Sequence, residues 1–178
     1  MISLPLVYTI LALVAYTSSF WYLFIHLMSK RTPNLWCYGL VVSFGVVLHG
    51  AILYRDMMTP IGVNYDVFNL MSFTSGLMLA LSLILSFIRP ILPLNLIGTP
   101  VAVIGLILGY AFSQPNQVIE QHSLGLDLHI ILSLSAYAVL LMATIHSGLL
   151  WFQDRELKKK QKRRIWVNLL PPFQVMES

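Results

Sequence analysis

Apolar residues run in five long, nearly unbroken stretches separated by short polar connections. A membrane-spanning helix needs about 20 mostly apolar residues. Five segments meet that length: about Leu4 to Met28, Leu35 to Tyr54, Val67 to Ile88, Ile91 to Phe112 and Leu128 to Phe152. The pattern predicts an all-α fold, a polytopic membrane helix bundle of about five transmembrane helices. Residues 1–152 form the bundle in this reading, and residues 153–178 a basic cytoplasmic tail. The first run has no basic residue before it and extends to Met28, so it is expected to be a retained helix rather than a cleaved signal peptide.

The connections differ in character. SKRTPN is short and basic, RDMMTPIGVNYD carries one Arg and two Asp, and SQPNQVIEQHSLGLD has two acids and no Lys or Arg. Arg89-Pro90 reads as a tight turn, with Pro90 suited to the first turn of the next helix. That fourth segment carries Pro93, Gly98, Pro100, Gly105 and Gly109, a composition that predicts a kink. DRELKKKQKRR is expected to continue the fifth helix out of the membrane until Pro171-Pro172 stops it.

Charge adds direction. Seven of the eleven Lys and Arg lie between Arg155 and Arg164. With Lys30, Arg31 and Arg89, ten of the eleven fall on one side of a five-span bundle, leaving Arg55 alone on the other. The positive-inside rule then sets the N-terminus outside and the C-terminus in the cytoplasm. An even number of spans would strand Arg89 or the tail on the wrong side. Trp21, Trp36 and Trp151 fall at the expected inner interface. The basic tail follows an apolar span directly, which favours anionic lipid as its partner over nucleic acid.

Composition supports lipid as the solvent: 57% of the 178 residues are hydrophobic and 10% charged, and mean hydropathy is +0.77. A soluble domain is nearer a quarter charged. Cys37 is the one cysteine, so a disulfide framework or a CxxC redox pair is excluded.

Candidate chemistry rests on histidine, because no Asp, Glu, Lys or Arg lies deep in a predicted span and intramembrane ionisable groups are costly. His49 falls roughly 8 Å below the predicted outer surface. His129 is at the outer start of the fifth span, and His122 precedes it in the outer loop. His26 and His146 fall toward the inner side. Neutral imidazole binds zinc, copper and haem iron, and haem iron takes one or two axial histidines. Without cysteines or a carboxylate cluster nearby, zinc is disfavoured. Each histidine has an ordinary alternative role as a hydrogen-bonding partner between helices. His129, Ser133 and Tyr137 share one helix face, and Asn69, Ser72 and Gly76 another. Packing is the expected role of the small residues, with Tyr137 and Asn69 able to orient a ligand's surroundings.

The stretch LDLHIILSLSAYAVLLMATIHSGLLWFQDRELKKK, with its His at the outer end, Ser-x-Tyr-Ala and basic exit, resembles the His-bearing helix of the cytochrome c assembly protein family. NYDVFNLMSFTSGLMLALSLI and LPPFQVMES are similar to an earlier helix and a linker of the same family, nearest its CcsA-, HemX- and YpjD-like inner-membrane branch. The resemblance implies haem handling in cytochrome c maturation, without enzymatic activity, in a bacterial inner membrane and beside other maturation proteins. It implies haem b as cofactor, with His129 as an axial ligand and His49 as a second. Family members continue into further helices and a WxWD segment that this sequence lacks, which implies a shortened member. Two other expectations stand beside it. One is a cofactor-free regulatory or structural subunit linked to haem synthesis. The other is a small-molecule or metal-ion transporter, suggested by the Pro/Gly-rich fourth segment.

Overall fold

The computed structural model describes residues 4–29, 31–60, 62–89, 91–114, 118–119 and 124–158. Five helices account for most of them: α1 (Leu4–Met28), α2 (Leu35–Met57), α3 (Val67–Ile88), α4 (Leu92–Phe112) and α5 (Leu124–Lys158). Each is long and apolar enough to cross a membrane. The all-α bundle expected from the apolar runs is the observed architecture.

Helix starts follow local chemistry. The Asn34 side chain accepts from the Trp36 and Cys37 amides at 3.0 and 3.2 Å, satisfying donors that the first turn of α2 leaves open. Asp66 does the same for α3 by accepting from the Phe68 amide at 3.0 Å. α4 has no side-chain cap; Pro93 sits in its first turn, where a missing N–H costs nothing. Pro90, expected in that role, lies outside the described residues. α4 is a single helix through Pro100. The Thr99 hydroxyl beside that proline donates to the Asn95 carbonyl at 2.7 Å.

Several helix ends differ from the sequence expectation, among them the start of α4 at Leu92 rather than Ile91. α2 runs three residues beyond Tyr54, to Met57, and α5 begins at Leu124 and reaches Lys158. The apolar criterion stops at polar residues such as Arg55, Asp56 and Asp127, whereas the backbone hydrogen bonds do not. The tail's predicted helical continuation holds as far as Lys158; its Pro171-Pro172 stop lies outside the described residues. The loops also contain a small antiparallel sheet ordered β1 (Met58–Thr59), β2 (Gly62–Asn64), β3 (Val118–Ile119). Met58 pairs with Val63, and Val63 pairs in turn with Ile119. The sheet ties the α2–α3 connection to the α4–α5 connection, and Asn64 adds a bond to the Gln114 carbonyl at 3.0 Å. Strands this short carry no legible alternation.

α1 packs on α2, α2 on α3, α3 on α4, and α4 back on α1, closing a four-helix ring. Its core includes Tyr16, Leu23, Val42, Leu79 and Leu106. The α3–α4 seam is made of small and polar residues. Gly105 and Gly109 meet Ser75 and Ser72, and Asn95 bridges Ser82 (2.6 Å) and Ser86 (2.8 Å). Small side chains let membrane helices approach closely, and hydroxyls and amides join them. α5 lies outside the ring, chiefly against α3. Only 6% of its spanning window is buried, against 28–50% for the other four helices.

Candidate functional site

An apolar cleft of about 630 Å³ opens between α2, α3 and α5. Val46, Leu53, Tyr54 and Met57 form the α2 wall. Phe73, Gly76, Leu77 and Ala80 form the α3 floor, and Asp127 and Ile131 the α5 side. Met58, Val63 and Tyr65 close the end nearest the sheet. From Val46 to Met57 the α2 wall rises roughly 17 Å, about half the thickness of a bilayer's hydrocarbon core. This is the end of the bundle that carries Arg55, the end assigned to the outside by charge.

His49 forms part of the cleft wall, yet the residue is only 1% exposed. Nδ1 lies 3.2 Å from the Tyr16 hydroxyl of α1 and Nε2 lies 2.8 Å from the Ser72 hydroxyl of α3. A neutral imidazole has one donor and one acceptor nitrogen, and a hydroxyl can play either part, so one tautomer satisfies the whole set. Gly76 makes room for the ring: a Cβ there would sit 3.1 Å from imidazole atoms. His49 thus joins three helices in the interior. The predicted packing stripe on α3 is what receives it, since Ser72 and Gly76 are its neighbours. Asn69, on the same stripe, is 1% exposed, and its Nδ2 has no hydrogen-bond partner among the described residues.

The other histidines lie elsewhere. His129 is exposed on α5. Asp127 and Ile131 face the cleft, and two residues along a helix turn a side chain by about 200°, so His129 points away from it. Tyr137 is 62% exposed and is not among the residues that line the cleft. His26 bonds to the Tyr22 carbonyl through Nδ1 at 2.8 Å, and its ring lies 4.1 Å from the Tyr22 ring at a tilt of 38°. His146 is half-buried on α5, and His122 lies outside the described residues.

These positions bear on the haem iron that the family resemblance implies. A ligating histidine keeps one nitrogen for the metal and the other for an orienting partner. The Tyr16 contact has that second character, but Ser72 occupies the remaining nitrogen of His49, and His129 does not reach the cleft. The residues as arranged do not fit paired axial ligation of a haem by His49 and His129. No group of three or more His, Cys, Asp or Glu able to hold a metal occurs among the described residues.

At the sheet end, the Tyr65 hydroxyl donates a hydrogen bond to the Asp127 carboxylate. This joins the α2–α3 connection to the start of α5 across the cleft wall. Burial, together with the Asp127 carboxylate, pushes the Tyr65 hydroxyl up to about 12, so it keeps its proton at any neutral pH. Sequence reasoning did not single out Tyr16, Tyr65 or Asp127 as contact residues. Tyr65 and Asp127 flank predicted spans with no local motif, and they are 62 residues apart. Comparison of the chain with protein-family models, with curated proteins and with solved structures finds no match.

Proposed function

We propose that this chain is a haem-handling membrane protein of cytochrome c assembly, placed in a bacterial inner membrane with its N-terminus outside. The observation that carries the reading is the cleft. It is about 630 Å³, within the 300–1,000 Å³ range typical of small-molecule sites, and lies toward the predicted outer face, where haem delivery takes place. Its walls of Leu53, Met57, Phe73 and Leu77 suit the flat apolar body of a porphyrin. The family resemblance of the fifth helix supports the same assignment. Because both ring nitrogens of His49 are engaged, the proposal rests on apolar contact with the macrocycle. The chain acts as a carrier and catalyses no reaction, working beside other maturation proteins of the membrane.

The test uses the full chain purified in detergent and titrated with haem and, separately, with iron-free protoporphyrin. Saturable binding of both, weakened by Leu77→Trp through filling of the cleft floor, is the expected result. Absence of saturable binding, or binding indifferent to Leu77→Trp, would overturn the proposal. A haem spectrum that depends on His129 would instead make that exposed imidazole the ligand.

One observation favours a second reading. A histidine satisfied on both nitrogens by neighbouring helices is what a cofactor-free structural or regulatory subunit would contain. Normal haem synthesis and cytochrome c maturation in cells carrying both His49→Ala and His129→Ala, together with no porphyrin binding in vitro, would select it.

A further inference from the structure

α5 is packed unlike the other helices. It lies on the outside of the four-helix ring against α3, with a cavity on each side. The cleft of about 630 Å³ separates it from α2, and a second cavity of about 340 Å³ lies toward α4, bounded by Leu134 and Leu141 of α5. Between the two, Ala138 is fully buried, so α5 meets the bundle there over a narrow ridge. Close-packed helices hold each other by many dispersion contacts, and a helix flanked by open grooves has fewer contacts with the bundle on both flanks. Its outer end is held by polar contact: Tyr65 bonds to Asp127, three residues into α5.

We propose that α5 is the movable wall of the cleft, latched by Tyr65 and Asp127, and that its release admits an apolar ligand sideways from the bilayer between α2 and α5. The latch is a side-chain tie between the wall and the sheet end, added to the chain connection from β3 to α5, so breaking it loosens the outer half of α5 while Ala138 remains seated. The groove toward α4 leaves room for the helix to shift on that side. Entry from the bilayer follows from position, because the cleft opens along the flanks of two spanning helices and is capped by β1 and β2 at its end. A ligand of low solubility then never crosses water. The identity of that ligand as haem rests on the function proposed above; the movement does not.

The experiment places spin labels at Ala51→Cys and Leu128→Cys, both exposed, in the full chain carrying Cys37→Ser and embedded in nanodiscs. Distances are measured with and without Tyr65→Phe, which removes the latch hydroxyl and keeps the ring. The expected result is a broader distribution with a new, longer component in Tyr65→Phe. In a second arm, haem is presented in phosphatidylcholine vesicles, and uptake is expected to be about fivefold faster in Tyr65→Phe, the factor set by loss of one ordinary hydrogen bond. Asp127→Asn is the second variant and should move both readouts the same way. Superimposable distance distributions overturn the proposal, as does measurable uptake that is equal in all the proteins despite a longer distance. A longer distance with no uptake by any of the proteins supports the movable wall and removes haem as its ligand.

Discussion

His49 Nε2 lies 2.8 Å from the Ser72 hydroxyl, which joins α2 to α3 inside the bundle, and the opposite nitrogen reaches Tyr16 on α1. Replacing Ser72 by Ala leaves a buried ring nitrogen without a partner. The expected loss is about 1–2 kcal/mol, because an unsatisfied buried polar group costs its full desolvation. His49→Ala removes packing as well and is expected to cost more. A double-mutant cycle between the two, followed by SDS-induced unfolding in mixed micelles, should give a coupling of about 0.6 kcal/mol and no more than about 1.7 kcal/mol, as for interhelical hydrogen bonds in a membrane. His129→Ala, on the exposed face of α5, should change stability by no more than about 0.5 kcal/mol.

The α3–α4 seam makes a sharper steric prediction. A Cβ at Gly105 would lie 2.9 Å from the Ser75 Cβ and closer still to its hydroxyl. Gly105→Ala must push the helices apart and is expected to cost about 1–3 kcal/mol. Ser75→Gly in the same chain should restore much of that loss. Gly50→Ala meets nothing within 4 Å and should be neutral or stabilising by up to about 1 kcal/mol, as for an unobstructed helix glycine. The same unfolding assay separates these outcomes.

Asn95 is fully buried and holds both Ser82 and Ser86. The serines have other partners, since Ser82 also bonds to the Leu79 carbonyl and Ser86 to the Ser82 carbonyl. Loss of the amide should therefore matter more than loss of either hydroxyl. Asn95→Ala is expected to destabilise by about 1–3 kcal/mol, and Ser86→Ala by about 1 kcal/mol or less. Thermal unfolding in detergent would test the order, and an equal or reversed effect would refute the bridging role.

Tyr65 makes a prediction about pH. Its hydroxyl is held up at about 12, above the ordinary value near 10, first by burial and then by Asp127. A folded-state value above the unfolded one means that the contribution to stability is complete below pH 10 and is lost as pH rises through about 12. Alkaline difference absorbance between the parent and Tyr65→Phe should therefore show a late tyrosine ionisation, with no change between pH 6 and 9. Asp127→Asn should lower that midpoint without returning it to the ordinary value, because burial is the larger cause.

The five spans and their count were legible in the sequence, and α1 and α3 have the ends that the apolar runs predict, Leu4–Met28 and Val67–Ile88. Lipid selects for continuous apolar length, so one dimension of pattern carries that information. Ser72 and Gly76 were legible as a packing surface for the related reason that membrane helices meet over small residues. The distribution of basic residues bears on sidedness in the same one-dimensional way.

What required the tertiary structure was which groups meet. Residue spacing ranks His49 and His129 alike as candidates near one end of the bundle, yet one is locked between Tyr16 and Ser72 and the other is turned away on α5. Depth follows from counting residues, whereas azimuth depends on how each helix is rotated against its neighbours. Tyr65 and Asp127 meet because the short sheet draws two connections together, and neither connection has a pattern strong enough to announce it. The cleft exists for the same reason: α5 sits outside the closed ring of α1–α4, and no run of apolar residues records which helix is left outside.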